Sequence, residues 1–227
     1  MTIEAIFFDN DGILVDTEPL FFRATRTVIE RYGGTLDEAV FVRVSLREGR
    51  NLFAEVLGIR NAETLRDRLR ERDALYSRLL EGGIEPLTGV REALLALEAH
   101  DLGRAIVTSS KREHFERIHR QSRLDEAFDF VLTREDYERA KPDPEPYLAA
   151  ARRAGARTDR CVAIEDSERG VRSAAAAGMR VLAIPNRLTA GSNFEEAAAV
   201  LGSIRDLPAA IRALADGPDE GHRPVPG

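Results

Sequence analysis

The chain has a single cysteine and only two lysines. Cys161 stands alone among 227 residues, so no intramolecular disulfide can form, which fits a reducing, cytoplasmic setting. It opens the apolar run Cys161-Val162-Ala163-Ile164 and reads as a buried core thiol, not a nucleophile. No apolar run approaches about 18 residues and no signal-peptide pattern opens the chain, so neither a membrane span nor export is expected. There is no basic block and no basic patch interleaved with aromatics. With a formal net charge of -6, a nucleic-acid partner is not expected. Of 33 basic residues, only Lys111 and Lys141 are lysine. Where arginine fills nearly every cationic position, a remaining lysine points to a need for a compact ammonium in place of a planar fork.

What is present is an ordinary soluble balance, 32% charged and 43% apolar, in a chain long enough for one large domain or a domain with an insert. Residues 3–8 read as a strand. From Pro19 to about Leu80 the pattern is helical. Phe22, Thr25, Ile29 and Tyr32 recur at helical spacing until Gly33-Gly34. A second helical segment spans Leu46 to Leu57, closed by Gly58, and a third runs from Ala62 to Leu80. After Gly89 short apolar strands alternate with helices. Helices are predicted at Val90–Ala99, Glu113–Arg120, Pro144–Ala154, Glu168–Ala177 and Ala209–Ala215. Strands are predicted at Arg104–Thr108, Phe128–Leu132, Cys161–Ile164 and Met179–Ile184, with a short edge element near Ile204 and Leu207. The tail, 216–227, is rich in Pro and Gly and is expected to be disordered. This order predicts an α/β fold, a Rossmann-like, mostly parallel sheet with helices on both faces, plus an inserted all-helical cap domain. The expected division is a core of residues 1–16 and 86–215 and a cap of residues 17–85.

In open α/β sheets the chemistry gathers at the carboxyl ends of the strands. There the sequence places Asp9, Asp11 and Gly12 after the first strand, and Thr108-Ser109-Ser110 after the second. Lys141-Pro142-Asp143-Pro144 follows the third, and Glu165-Asp166-Ser167 the fourth. Two acids ending a hydrophobic strand repel each other unless a cation is near. Asp9, Glu165 and Asp166 supply hard oxygens suited to Mg²⁺. Thr108, with the amides of Ser109 and Ser110 at a helix start, can hold phosphate oxygens and also reads as a helix cap. Lys141 can neutralise both a phosphate and a carboxylate nucleophile. Asp11, held off the metal, can carry a proton to and from the leaving or entering oxygen. Asp143 reads as loop structure, and the four histidines (His100, His114, His119, His222) as surface or helix-flank groups. Asp16, Thr17 and Glu18 are placed at the entrance or hinge.

These four motifs, in this order and with roughly this spacing, resemble the haloacid-dehalogenase-like hydrolase superfamily. The stretch from Glu165 through Gly170 to Met179 resembles its subgroup with a helical cap, which contains β-phosphoglucomutase-like and phosphoglycolate-phosphatase-like enzymes. The resemblance implies a Mg²⁺-dependent phosphatase acting on a small phosphorylated metabolite, a sugar phosphate or similar, through an aspartyl-phosphate on Asp9. It makes Asp11 the general acid/base, giving its backbone carbonyl to the metal, with Asp166 a direct ligand and Glu165 acting through a water. Catalysis then rests on Asp9, Asp11, Thr108 and Lys141, and phosphate binding on Gly12, Thr108, Ser109, Ser110 and Lys141. Arg47 or Arg50 in the cap would reach a second anionic group, with a plain surface role the equal alternative in a chain this rich in arginine. A monomer or weak dimer is expected. Mutase members carry a histidine twelve residues after the nucleophile, where this chain has Phe21, so a sugar-phosphate mutase is the alternative. A non-catalytic phosphometabolite-binding module is the alternative of another class. Ile13 stands where the family often has threonine.

Overall fold

The computed structural model describes residues 2–98 and 102–216. Its elements, in chain order, are β1 (Ala5–Phe8), α1 (Glu18–Arg31), α2 (Glu38–Phe41), α3 (Leu52–Val56), α4 (Ala62–Leu80), α5 (Val90–Leu97), β2 (Gly103–Val107), α6 (Arg112–Ser122), β3 (Phe130–Leu132), α7 (Glu145–Ala154), β4 (Cys161–Glu165), α8 (Glu168–Ala176), β5 (Arg180–Ala183), β6 (Ala199–Val200) and α9 (Leu207–Asp216).

The strands form one sheet in the order β3-β2-β1-β4-β5-β6, and every neighbouring pair is parallel. The chain winds outward from β1 to β3, then returns to lay β4 beside β1. The strand order therefore switches direction between β1 and β4, where a crevice opens at the carboxyl ends. The register levels those ends: Phe8 lies beside Ile106 on one side and Ile164 on the other.

Alternation along the strands builds a core on each face of the sheet. Ile6 and Phe8 of β1 join Ile106, Val162, Ile164 and Leu182 against α5, α6 and α9. Ala5 and Phe7 join Ala105, Val107, Ala163 and Val181 against α7 and α8. Cys161 belongs to this second core, fully buried, and burial pushes its thiol up to about 12.

Helices α1 to α4 all fall between β1 and α5. Val28, Ile29, Phe41, Val44 and Phe53 give them a core of their own. A smaller cluster, Val15, Ala24, Tyr76, Leu80 and Ile118, packs α1 and α4 onto α6. The two connections run side by side, with Leu87 donating its amide to Leu14 (2.9 Å) and Val15 bridging to Pro86.

Four elements differ from the sequence expectation. The helix predicted over Leu46–Leu57 is divided: α2 continues into a π-helical turn (Val42–Arg47), the chain turns through Gly49 at φ 64°, and Asn51 caps a separate α3 by accepting from the amides of Phe53 and Ala54. The edge of the sheet is β6 at Ala199–Val200. Ile204 lies in a 3₁₀ turn (Ile204–Asp206) whose capping box, Ser203 and Asp206, leads straight into α9. Thr108–Ser110 does not cap α6: the N-cap is Lys111, without a side-chain cap bond, and the Thr108 hydroxyl oxygen accepts from the Ser110 amide at 3.0 Å. Asp216 ends α9, and the remainder of the tail expected to be disordered lies outside the described residues, as does Ala99.

Phe7 is fully buried between β2 and β4, whereas Leu95 on α5 is 63% exposed. Phe7→Ala should destabilise the fold by about 3–5 kcal/mol in urea denaturation, and Leu95→Ala by less than about 0.5 kcal/mol. Equal losses at the two sites would contradict this placement of the core.

Candidate active site

The extended backbone of β1 sends Asp9 toward the α7–α8 face, in phase with Ala5 and Phe7. There the Lys141 ammonium donates to Asp9 Oδ1 (2.7 Å), to Glu165 Oε1 (2.6 Å) and to the Val107 carbonyl (2.9 Å). Tyr147 of α7, fully buried, donates its hydroxyl to the same Glu165 oxygen at 2.6 Å. A cis Lys141-Pro142 bond precedes the loop, and Asp143 accepts from the Glu145 amide at 2.9 Å, a structural role at the start of α7.

Asp9, Glu165 and Asp166 are all buried, with one oxygen from each lying within 4.8 Å of the others. Burial pushes the Asp9 carboxyl up to about 7, against the pull of Lys141 and with the help of Glu165 and Asp11. Burial also drives Asp166 well above the carboxylate range, and the neighbouring Asp9 and Glu165 add to it. Burial opposes the Lys141 charge, yet Asp9 and Glu165 together hold it well above its usual value. One ammonium thus faces three carboxylates. A hard divalent cation fits this donor set, because it supplies positive charge that would offset the upward shift of Asp9 and Asp166.

Gly12 makes the close approach possible. Its φ is 86°, and a Cβ there would lie 2.2 Å from Asp166 Oδ2 and 2.7 Å from Asn186 Nδ2. Asn186, beyond β5, donates to Asp166 Oδ2 at 2.7 Å. Asp11 is on the other side of the turn. Its carboxylate accepts from Thr17, from Thr108 (3.2 Å) and from Ser110 (2.9 Å), so its orientation is fixed by hydroxyls and not by Lys141.

A cavity of about 380 Å³ opens above this floor, lined by Asp11, Ser109, Ser110, Lys141, Asp166 and Ser167 below and by Phe21, Ser45, Leu46, Arg72 and Tyr76 from the helical insert. Phe21 packs edge-on against Tyr76 (5.4 Å between ring centroids), beneath the Arg72 guanidinium at 4.3 Å. Arg72 donates to Asp73 (2.7 Å), which also accepts from Lys111 at 2.5 Å. Glu18 lines the cavity too. Its Oε2 is buried without a hydrogen-bond partner among the described residues, and burial, with the charges of Asp11 and Asp9, pushes its carboxyl up to about 8.

The structure brings Asp9, Asp11, Gly12, Ser109, Ser110, Lys141, Glu165 and Asp166 together, with Thr108 fully buried behind Asp11. Arg47 and Arg50 are engaged elsewhere: Arg47 donates to the Gly191 carbonyl (2.7 Å), and Arg50 pairs with Glu48 and Glu55. Two histidines are not surface groups. His114 is buried and lines the cavity beside Tyr76, and His119 is buried against Asn10. His100 and His222 lie outside the described residues. Ile13 is a core residue. Asp16 is exposed, while Thr17 and Glu18 reach the site. Sequence reasoning missed Tyr147 and Asn186. A tyrosine on an Ala-rich inward helix face needs a partner for its hydroxyl, and Asn186 closely follows another strand end, so both carried a signal.

A parallel sheet with acids, hydroxyls and a lysine gathered at its switch point is an enzyme-type arrangement, and its buried acids could hold a metal ion. Residues 6–184 match the sequence profile of the haloacid dehalogenase-like hydrolases, and the chain belongs to that family. It is 37% identical over 205 residues to a phosphorylated carbohydrates phosphatase of Thermotoga maritima, covering 87% of this chain and 93% of that protein. It is 31% identical over 183 residues to the 6-phosphogluconate phosphatase of Escherichia coli, covering 79% and 81%. A mutant CbbY of Rhodobacter sphaeroides, solved in complex with xylulose-1,5-bisphosphate, superimposes with a TM-score of 0.78 at 26% identity, covering 91% of this chain and 96% of that one.

Two predictions follow from this geometry. A Cβ on Gly170 would lie 1.9–2.1 Å from the Glu165 carboxyl atoms. On helix propensity alone Gly170→Ala would stabilise by about 1 kcal/mol. Displacing Glu165 from Lys141 reverses the sign, and a loss of about 3–5 kcal/mol is expected in urea denaturation. A more stable variant would contradict the placement of Glu165. The second concerns Glu18, whose folded value, about 8, stands above its ordinary 4.5. The stability it contributes is full below 4.5 and is lost as pH rises through 8. In the presence of a chelator, Glu18→Gln should match the wild type in melting temperature at pH 4.5. By pH 8.5 it should melt higher by at least about 2–4 °C, equivalent to about 1 kcal/mol in a chain of this size. A constant difference across this range would refute the burial of that carboxyl.

Proposed function

We propose that this protein is a Mg²⁺-dependent phosphatase of small phosphomonoesters, sugar phosphates or similar, working through a phosphorylated Asp9. The observation that carries the reading is the buried Asp9–Lys141–Glu165 cluster on the cavity floor, with Asp11 held apart from it by hydroxyls. The similarity to sugar-phosphate phosphatases supports the substrate class.

The Asp9 and Asp166 carboxylates and the Asp11 backbone carbonyl would hold Mg²⁺, with Glu165 contributing through a water. When bound, the ion supplies positive charge to the carboxylates and to the transferring phosphoryl group. Asp9 attacks phosphorus in line, and its Oδ–P bond forms as the bond to the ester oxygen breaks. Asp11 gives a proton to that departing oxygen. It then takes a proton from a water that attacks the phosphorus, so the Oδ–P bond breaks and Asp9 is restored. Lys141 draws Asp9 toward its ionised form and, with the Ser109 and Ser110 amides, meets the phosphoryl oxygens. Phe21 has no proton-transferring group, which favours water over a sugar hydroxyl as final acceptor. We further propose the division of the chain into a core, residues 1–16 and 86–215, and a cap, residues 17–85, which closes over the site and reads the leaving group.

A panel of phosphomonoesters with Mg²⁺, read as released phosphate, tests this directly. Turnover of one or more sugar phosphates is expected, falling more than about a thousandfold in Asp9→Asn. Interconversion of sugar phosphates without phosphate release would select the mutase reading, and binding without turnover the binding module.

A further inference from the structure

Beneath the catalytic turn lies a buried polar pair that the reaction itself does not use. Asn10 stands between the two working aspartates, and strand alternation sends its side chain to the opposite face, toward α6. It is fully buried, and its backbone carbonyl accepts the amides of Leu14 (2.9 Å) and Val15 (3.2 Å), so it anchors the turn that carries Asp11. Its Oδ1 lies 2.7 Å from His119 Nε2. His119 is itself buried, with Nδ1 3.3 Å from Ser122 Oγ, and that oxygen accepts the Leu124 amide at 3.4 Å. With the Asn10 oxygen as acceptor, the chain of donors has one direction: Leu124 donates to Ser122, the neutral tautomer carries its hydrogen on Nε2 toward Asn10, and Nδ1 accepts from Ser122. Arg91 fixes the far end by donating to the Ser122 carbonyl at 2.8 Å.

The arrangement is poor as a stabilising device. Asn10 Nδ2 is buried with no hydrogen-bond partner among the described residues. Burial also disfavours the charged imidazole and keeps His119 below its usual value. Two apolar side chains of similar volume would carry neither penalty. What they would lack is direction, since a hydrogen bond at 2.7 Å fixes the rotation of Asn10 where packing alone does not.

We propose that His119 and Asn10 are positioning residues whose hydrogen bond holds the Asp9–Asp11 turn in its reactive geometry. The proposal rests on the phosphatase reading above. Asp9 and Asp11 belong to one short turn and must act on opposite sides of one phosphorus atom, so a small rotation at Asn10 misaligns both. Such misplacement reduces the rate of the chemical step more than it weakens substrate binding.

The test compares Asn10→Leu, His119→Leu, the double Leu variant and His119→Gln, using p-nitrophenyl phosphate with Mg²⁺ and urea denaturation. Each single Leu variant should lose about tenfold or more in kcat with KM within about twofold. The double variant should regain the wild-type urea midpoint or exceed it while kcat stays low, which separates geometry from stability. His119→Gln, whose amide reaches the Nε2 position, should recover kcat to within about threefold. Nitrogen-15 NMR at pH 7 should find the His119 ring neutral with its hydrogen on Nε2. Wild-type kcat in the double variant, or a hydrogen on Nδ1, would overturn the proposal alone. A wild type that hydrolyses no phosphomonoester would overturn the phosphatase reading and this proposal with it.

Discussion

The Lys141 ammonium, buried between Asp9 at 2.7 Å and Glu165 at 2.6 Å, is the interaction on which the rest of the site depends. Three carboxylates buried near one another repel, and burial pushes the Asp9 and Asp166 carboxyls upward. Lys141 offsets part of that repulsion and pulls Asp9 back toward its ionised form, the form its proposed role as nucleophile needs. It also leaves the cluster short of positive charge, which makes the floor of the cavity receptive to a divalent cation. Tyr147 shares the Glu165 oxygen with Lys141, so the orientation of the lysine is set from the helix side as well as from the strand side.

The sheet is what allows so costly a cluster to exist. Parallel pairing levels the ends of β1 and β4, and the reversal of strand order between them leaves their carboxyl ends uncovered by a crossing connection. Asp9 and Glu165 therefore leave the sheet side by side, and Lys141 reaches them from the loop before α7. Two contacts tolerate no side chain: Gly12 beside Asp166 and Gly170 beside Glu165. Backbone that can approach a carboxylate closely is as much a part of this site as the carboxylates themselves.

Most of this was legible in the sequence, for identifiable reasons. Apolar runs bounded by glycine gave the strands and helices, and polar residues following each run marked one rim of the sheet. The failures have a common cause. Arg47 and Arg50 sit on a stretch whose helical path breaks at Gly49, and periodicity does not reveal where side chains point after a break. Arg50 pairs locally with Glu48 and Glu55 and Arg47 donates to the distant Gly191 carbonyl, while Arg72, in the middle of a regular helix, lines the cavity. His114 and His119 look like flank residues because α6 is strongly polar. Their burial comes from packing against α4 and the β1 turn, contacts between elements far apart in sequence. Pattern reading finds residues at strand ends because topology is local there, and it fails where tertiary packing decides.

The same turn also gives two acids different surroundings within three residues. Asp9 follows the phase of Ala5 and Phe7 and faces the lysine. Asn10 follows the phase of Ile6 and Phe8 and faces His119. Asp11, past the point where β1 ends, is free of that alternation, and Gly12, at positive φ, lets the chain bend so that hydroxyls from Thr17, Thr108 and Ser110 take its carboxylate. Had the strand continued, Asp11 would share the surroundings of Asp9 and compete for the same ammonium. Ending β1 at Phe8 keeps one acid beside a fixed positive charge and the other among neutral donors, and the proposed division into nucleophile and proton carrier rests on that difference.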